Sequence, residues 1–588
     1  MANFYDYIIE KLLKPLKRIL TAKHSLYIKN SDYYKWIKTN EPSNYELKEQ
    51  IGASRNFTFK PIFSVFIIPG YVVNEKMINA TIESLNSQSY SNWEVFVFSA
   101  NVNKRTAKMQ ERKLKNKCTV SFFNNLFNWN YLNDAFYKSK GEYLAFIVGG
   151  DKFSPFSFYE TVKALNDQQN TEFLYGDEDR YTHNVNKRSS PFFKPDWSPD
   201  TLKGFNYIGN TIFIRRDLFK QCILSNTEFN SYSLVLRATR RANKIIHIPK
   251  ILYHAMEKDS DNYKTNTFLL THSNVYTSIY NLKALKEYLT DTKTLGDVKE
   301  VSPGLFDIRY NLSSNPKVSI IIPNKDHADD LKKCIESLQR SIYRNFEIII
   351  VENKSAETET FRYYCNIRKR SNIRIITWQD EFNFSKINNH AARYAQGDVL
   401  FFLNNDTEAI NADFMERMLQ HCVRPDVGAV GAKLYYPDGT IQHAGIILGI
   451  CGLAGHSHKG IKGDLPGYFH RLEVVQNLSA VTAACIMVRT DVFNKVGGFD
   501  ECFPIAYNDI DFCLKIRRAG YSIIWTPFAK FYHYESRTRG YDITFKKKKR
   551  LKCESNRLKL KWNGVFEDHD PFYNPNLTVK KEDFSINI

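Results

Sequence analysis

The chain has 588 residues, 43% of them hydrophobic and 25% charged, and a formal net charge of +19. That length exceeds one hydrophobic core and predicts two or three domains, while the composition excludes collagen-like, low-complexity and disordered classes. The positive charge favours anionic partners such as phosphorylated substrates or anionic lipid. No nucleic-acid motif accompanies it, so specific nucleic-acid binding is not expected.

Ten cysteines are scattered without a CxxC pair, which predicts reduced thiols in a cytoplasmic setting. Charges interrupt every N-terminal apolar run, so no signal peptide is read there. The smoothest stretch, AGIILGICGLAG at 444–455, falls short of the ~20 apolar residues that a membrane-spanning helix needs.

In chain order, residues 1–58 form an N-terminal helical segment. Within it Tyr5, Ile8, Ile9, Leu12, Leu13, Leu16 and Ile19 share one helical stripe, flanked by Lys11, Lys14, Lys17 and Arg18. Such a helix suits an anionic membrane surface or a dock on its own protein, and Pro15 kinks it in either case.

Residues 59–262 and 316–545 are two copies of one domain. SVFIIPG (64–70) echoes VSIIIPN (318–324), and IESLNSQSYSNWEVFV (82–97) echoes IESLQRSIYRNFEIII (335–350). GEYLAFIVGGD (141–151) echoes GDVLFFLNNDT (397–407), and GNTIFIRRDLF (209–219) echoes AACIMVRTDVF (483–493). Each copy opens on a β-branched run, a helix containing IESL and a second β-branched run. This is βαβ patterning, hence α/β domains with a mostly parallel, Rossmann-like sheet. Residues 263–315 read as a connector, a helix followed by a loop, and 546–588 as a basic C-terminal extension opening on KKKKRLK.

The copies agree inside and differ at strand ends, where open α/β sheets collect functional groups. The second copy has Asn404, Asn405 and Asp406 where the first has Val148, Gly149 and Gly150, with Asp151 one step late. It has Glu352 and Asn353 against Ser99 and Ala100, Asp326 against Val72, and Asp509 and Asp511 against Ser231 and Ser233. A core common to both copies does not require these acids, so the second copy is expected to carry the chemistry. Asp177, Glu178 and Asp179 of the first copy read either as part of another site or as a surface turn.

Asp406, after a buried strand, suits a hard cation, since Mg²⁺ or Mn²⁺ takes one or two carboxylates plus substrate phosphates. His533 reads as a site residue beside Arg537 and Arg539, or as a buried structural histidine like His254, which stands in the matching FYH/LYH position. Asp509 and Asp511 stand at a helix start, where a single acid satisfies the helix dipole. Two helical positions apart, their side chains diverge by ~200°, so one can face a cleft while the other caps or pairs. A carboxylate there can remove a hydroxyl proton; Asp509 is the first choice and Asp511 the reserve.

The stretches VSIIIPNKD, FNFSKINN, LFFLNNDTEAI, VGAVGAKLYYPDGTIQHAGIILG, AVTAACIMVR, GGFDECFPIAYNDIDFCLKIRRAGY, FYHYESRTRG and DPFYNPNLT cover nearly all of 316–577. Together they resemble bacterial family-2 glycosyltransferases of the GT-A fold, in the tandem form found among enzymes of O-antigen, capsule and rhamnan synthesis. The resemblance implies a donor site at Pro323, Asp326, Glu352, Asn353, Asn388, Asn404, Asn405 and Asp406, with Asn389 close by. It implies a divalent metal near Asp406 and His533, and Asp509 as catalytic base. It further implies a UDP- or dTDP-sugar donor, a lipid-linked or polysaccharide acceptor, and an inactive first copy. A cytoplasmic protein peripheral to the inner membrane face is the expected setting.

Overall fold

The computed structural model describes residues 29–69, 75–99, 118–122, 128–182, 187–224, 229–257, 275–535 and 544–588. The stripe at 5–20, Val72, Ala100, Arg537 and Arg539 lie outside them.

Two sheets carry the same strand order. The first runs Cys118–Phe122, Trp93–Ser99, Phe63–Ile68, Tyr143–Val148, Ile212–Arg215, Phe173–Thr182, Ile245–Glu257, Lys152–Phe153. The second runs Ile373–Thr377, Phe346–Glu352, Val318–Asn324, Val399–Leu403, Cys485–Arg489, Val427–Tyr435, Ser522–His533, Thr407–Ala409. In each, four parallel strands lead to one antiparallel strand, Ile212–Arg215 or Cys485–Arg489. The central runs FSVFII and VSIIIPN are almost wholly buried, as strands covered by helices on both faces must be. Each such Ile contributes about 1.5–3 kcal/mol by burial.

A polar clamp recurs at the foot of both sheets. Ser64 Oγ donates to Glu94 (2.7 Å) and accepts from the Gly141 N–H (2.9 Å). Ser319 Oγ does the same with Glu347 (2.7 Å) and Gly397 (2.8 Å). Side chains at Gly141 and Gly397 would collide with the same serine and backbone atoms, so both positions exclude a Cβ.

This clamp corrects the alignment of the first motif. Phe63 pairs with Trp93 as Val318 pairs with Phe346, so Ser64 answers Ser319 and the prolines are offset by one. Pro323 therefore sits a residue earlier in its strand than Pro69. Lacking an N–H, it cannot donate a ladder bond, although its pairing with Phe346–Glu352 runs on to Asn324–Glu352. Pairing with Val399–Leu403 stops at Ile321–Phe402, whereas the first copy continues to Ile68–Val148. The second sheet opens sooner at its upper rim.

A second correction concerns the histidines. Lys152 pairs with His254, but Glu408 pairs with Tyr532 and Thr407 with His533. Asp179 likewise faces His254 where Tyr435 faces Tyr532. By register His254 answers Tyr532, not His533, and a one-residue slip turns a strand side chain to the other face. His254 is tied to Asp179 (2.5 Å) and Ser154 (2.9 Å), a structural role that His533 does not share.

The connector holds the expected helix, Val275–Asp291, but the stretch read as loop contains an antiparallel hairpin, Gly296–Ser302 with Leu305–Tyr310. Gly304, at φ +76°, supplies its turn. Val298, Leu305, Phe306 and Ile308 enter the first copy's core.

Asp177, Glu178 and Asp179 are not a surface turn. They lie buried on Phe173–Thr182. Asp179 binds Arg188 (2.6 Å), His254 and Tyr33 from the N-terminal helix Asn30–Asn40. Glu178 pairs with buried Lys194 (3.0 Å). Asp177 accepts from His247 (2.8 Å) and from Asn574 of the C-terminal tail (2.9 Å). The tail bonds the second copy as well, with Asp570 accepting from the Leu448 N–H (2.7 Å) and Ser479 Oγ (2.8 Å).

The copies meet along a seam. Asp200 of the first binds Arg424 of the second at 2.6 Å and Asn477 at 3.1 Å, and Phe192 stacks on Phe469 with ring centres 4.0 Å apart. Among the described residues no helix is long and apolar enough to cross a membrane, and the described cysteines are free thiols.

Candidate active site

The early opening at Pro323 exposes a row of strand ends. Asn324, last residue of its strand, becomes a hub. Its Oδ1 accepts from Asn405 Nδ2 (2.7 Å), its Nδ2 donates to Tyr364 Oη (2.8 Å), and its carbonyl accepts the Asn353 N–H (2.9 Å). The side chain of Asn405 thus fixes the NND turn to the neighbouring strand beyond the point where their ladder stops. Sequence reasoning missed Asn324; its signal was its place directly after Pro323.

On one side of this hub lie the loops expected to meet a nucleotide. Asp326, at φ +54°, accepts the N–H groups of Ala356 (2.7 Å) and Glu357 (2.9 Å) through Oδ1. Glu352 Oε1 accepts the Ser355 N–H at 2.5 Å. These acids cross-link the two strand-end loops into one rim. Asn388 is fully buried on helix Phe384–Ala392, its Nδ2 donating to the Phe384 carbonyl (2.8 Å). Its Oδ1 has no hydrogen-bond partner among the described residues. Asn389 instead faces away and brackets Phe499, donating to its carbonyl and accepting its N–H, both at 2.9 Å.

In the middle stand Asp406 and His533, both buried, with Nε2 and Oδ1 3.4 Å apart. The Asp406 carbonyl also accepts the Tyr534 N–H (2.9 Å), so backbone and side chain both tie the turn to the last strand. Burial lowers the His533 pKa, but the Asp406 carboxylate outweighs it and the net shift is upward. Nδ1 of His533 has no hydrogen-bond partner among the described residues. One carboxylate and one imidazole fit a cation that completes its shell with phosphate oxygens and water. A ready-made group of three or more protein ligands is absent among the described residues.

On the far side lies Asp509. The Asn404 N–H donates to the Ala484 carbonyl (3.0 Å), and the Ala483 N–H donates to Asp509 Oδ2 (3.4 Å). The turn at 482–484 therefore bridges the NND segment and Asp509. Asp509 is half-buried, and burial raises its pKa against the hydrogen bonds from Ile510 (2.9 Å), Ala483 and Thr482. Asp511, two positions on, points elsewhere: it is fully buried and binds Trp562 Nε1 (2.8 Å) and Lys561 Nζ (2.7 Å) of the C-terminal helix end. The reserve role read for Asp511 does not fit this placement. One acid of the pair meets the turn and the other anchors a helix.

Asp326, Glu352, Asn353, Asn405, Asp406, His533 and Asp509 thus follow one another along a single rim, through Asn324 and the 482–484 turn. Among its described residues the first copy shows no such row. Its Asp151 folds inward onto Tyr253 Oη (2.6 Å) and the Met256 N–H (2.9 Å), and burial raises its pKa to about 7.

The family model described as Glycosyl transferase family 2 matches residues 65–223 and 319–497, one segment in each copy. The uncharacterized protein y4gI of Sinorhizobium fredii is 34% identical over 568 residues, 94% of this chain and 61% of that protein. The O-antigen biosynthesis protein RfbC of Myxococcus xanthus is 31% identical over 567 residues, 95% of this chain and 43% of that protein. The chain therefore spans less than two thirds of the length of these relatives. Among solved structures, GalNAc-T7 crystallised with UDP, GalNAc and Mn²⁺ matches at 13% identity and a TM-score of 0.37, over 46% of this chain and 53% of that one. With both copies matched by the same model, the chain belongs to glycosyl transferase family 2.

Proposed function

We propose that the second copy transfers a sugar from a nucleotide-sugar donor to an acceptor hydroxyl with inversion. The observation that carries this reading is the bridging of Asn404 and Asp509 by one turn, which sets a metal-binding carboxylate and a raised-pKa carboxylate on the same rim. Asp509 takes the proton of the acceptor hydroxyl. The hydroxyl oxygen bonds the anomeric carbon as the bond to the diphosphate oxygen breaks on the opposite face. A single in-line displacement inverts that centre, by the same opposed-face logic as an inverting glycosidase.

Asp406 and His533 hold the divalent cation, which when bound neutralises charge on the leaving diphosphate. Asp326, Glu352 and Asn353 hold the base and ribose, with Pro323 shaping the rim above them, and Asn388, Asn404 and Asn405 line the donor side. The donor is a UDP- or dTDP-linked hexose or rhamnose. The name of the Myxococcus relative supports a surface glycan, free or lipid-linked, as acceptor. The basic helix Phe545–Lys561 is suited to an anionic membrane face.

Nucleoside diphosphate release from a panel of UDP- and dTDP-sugars, with Mn²⁺ or Mg²⁺ and with chelator, tests the proposal. Release that disappears in Asp509→Asn supports it; equal release from both proteins overturns the base assignment.

A further inference from the structure

The turn that orients Asp509 is itself held from behind. The Thr482 N–H reaches His443 Nε2 at 3.4 Å, and His443 Nδ1 faces His456 Nδ1 at 3.1 Å. His443 is fully buried and His456 half-buried beside it. Burial drives the His443 pKa well below its usual value; burial, with the charges of Lys459 and His533 and against that of Glu535, brings His456 to about 4.

In two neutral rings the protons are then assigned by elimination. A backbone N–H only donates, so His443 Nε2 is bare and its proton is on Nδ1. That proton points at His456 Nδ1, which accepts. The other His456 nitrogen carries the proton toward the Gln442 backbone. The result is a one-way chain of hydrogen bonds running from the amide of Thr482, next to the Ala483 amide that binds Asp509, out to the Gln442 backbone.

The first copy breaks this chain at the acceptor of the turn amide. By register Ile208 and Gly209 stand for Thr482 and Ala483. The hairpin position paired with Glu178, which answers His443 paired with Leu434, is Phe192, a ring without an acceptor nitrogen. The histidine chain is present only where the acid is.

We infer that His443 is a positioning residue: through the 482–484 turn it fixes the Asp509 carboxylate toward the reacting hydroxyl. The inference rests on Asp509 being the base. It is tested in the full chain with His443→Leu, His443→Gln and Asp509→Asn, scored as UDP or dTDP released from a UDP- and dTDP-sugar panel. His443→Leu is expected to lower kcat about 10- to 100-fold with the donor KM unchanged, the size of effect a displaced catalytic group produces. His443→Gln, whose Oε1 can accept the Thr482 N–H, is expected to restore most of it. Wild-type kcat in His443→Leu, or loss of kcat and donor KM together without rescue by Gln, overturns the inference. If His443→Leu does not fold, His456→Leu breaks the chain one step further out. A lowered kcat at constant donor KM then supports the inference, and wild-type kcat overturns it. Full turnover in Asp509→Asn, or no release from any donor, overturns the base reading instead, whatever His443 does.

Discussion

The two copies are a controlled comparison made within one chain. At the foot of each sheet the Ser–Glu–Gly clamp is the same, bond for bond. At the upper rim, Asp406 is answered by Gly150, Asp509 by Ser231, and His443 by Phe192, which cannot accept a proton. The Ser–Glu–Gly clamp persisted in both copies. The acids of the rim are found only where it opens beneath Pro323. The first copy's remaining acids were absorbed into the fold: Asp151, Asp177, Glu178 and Asp179 each bind a neighbouring side chain or backbone amide.

The largest effect expected from this contrast is at Asp509. Asp509→Asn should lower turnover by about 10²–10⁴-fold, the contribution of a general base. Its counterpart, Ser231→Ala, should leave turnover unchanged; a loss from Ser231→Ala would show that the first copy is not inert. Because burial raises the Asp509 pKa, activity should rise with pH through a value above the ordinary carboxylate range. An acid limb at the usual Asp value would contradict that environment.

Next comes the metal. Chelation should suppress nucleoside diphosphate release, and Asp406→Ala should raise the Mn²⁺ concentration needed to restore it. Isothermal titration with Mn²⁺ and UDP separates this from a general loss of structure.

Third is the seam. Arg424→Ala strands the buried Asp200 carboxylate and should cost about 3–5 kcal/mol, read as a fall in denaturation midpoint, with Lys203 at 2.8 Å softening the loss.

Fourth is His247 of the first copy. Burial disfavours its charged form, but Asp177 and Asp196 outweigh this and raise its pKa to about 9. A raised histidine stabilises the fold fully below its unfolded pKa of ~6.5, and that stability is lost as pH climbs through about 9. A plot of melting temperature against pH should decline over that window in the parent and decline less in His247→Asn.

The smallest effect is the shared clamp: Ser64→Ala and Ser319→Ala should each cost about 1 kcal/mol, and alike, by chemical denaturation.

Much of this organisation is visible in the residues themselves. The repeat, the β-branched strands and the acids at strand ends follow from local pattern, because buried parallel strands demand unbroken apolar runs. What escapes is set by register and by distant partners. Text alignment matched Pro69 with Pro323 and His254 with His533; only the ladder shows each off by one. The hairpin at 296–310 was hidden by the charged faces of GDVKEVS and LFDIRY, although Val298, Leu305, Phe306 and Ile308 are buried. Asp511 looked like a second site acid because its partners, Lys561 and Trp562, lie some fifty positions downstream in the chain. Asn324, His443 and Thr482 act through single bonds between loops, which no periodicity reveals.

The seam has a consequence for assembly. It joins unlike surfaces, the helix Pro199–Gly204 of one copy to the end of Phe414–Cys422 in the other. Head-to-tail contact between similar modules has no built-in stopping point, so repetition would string molecules into filaments. Within one molecule the Asp200 surface is already covered by Arg424 and Asn477 of the other copy. That leaves no uncovered Asp200 carboxylate for another molecule to grip through the same contact.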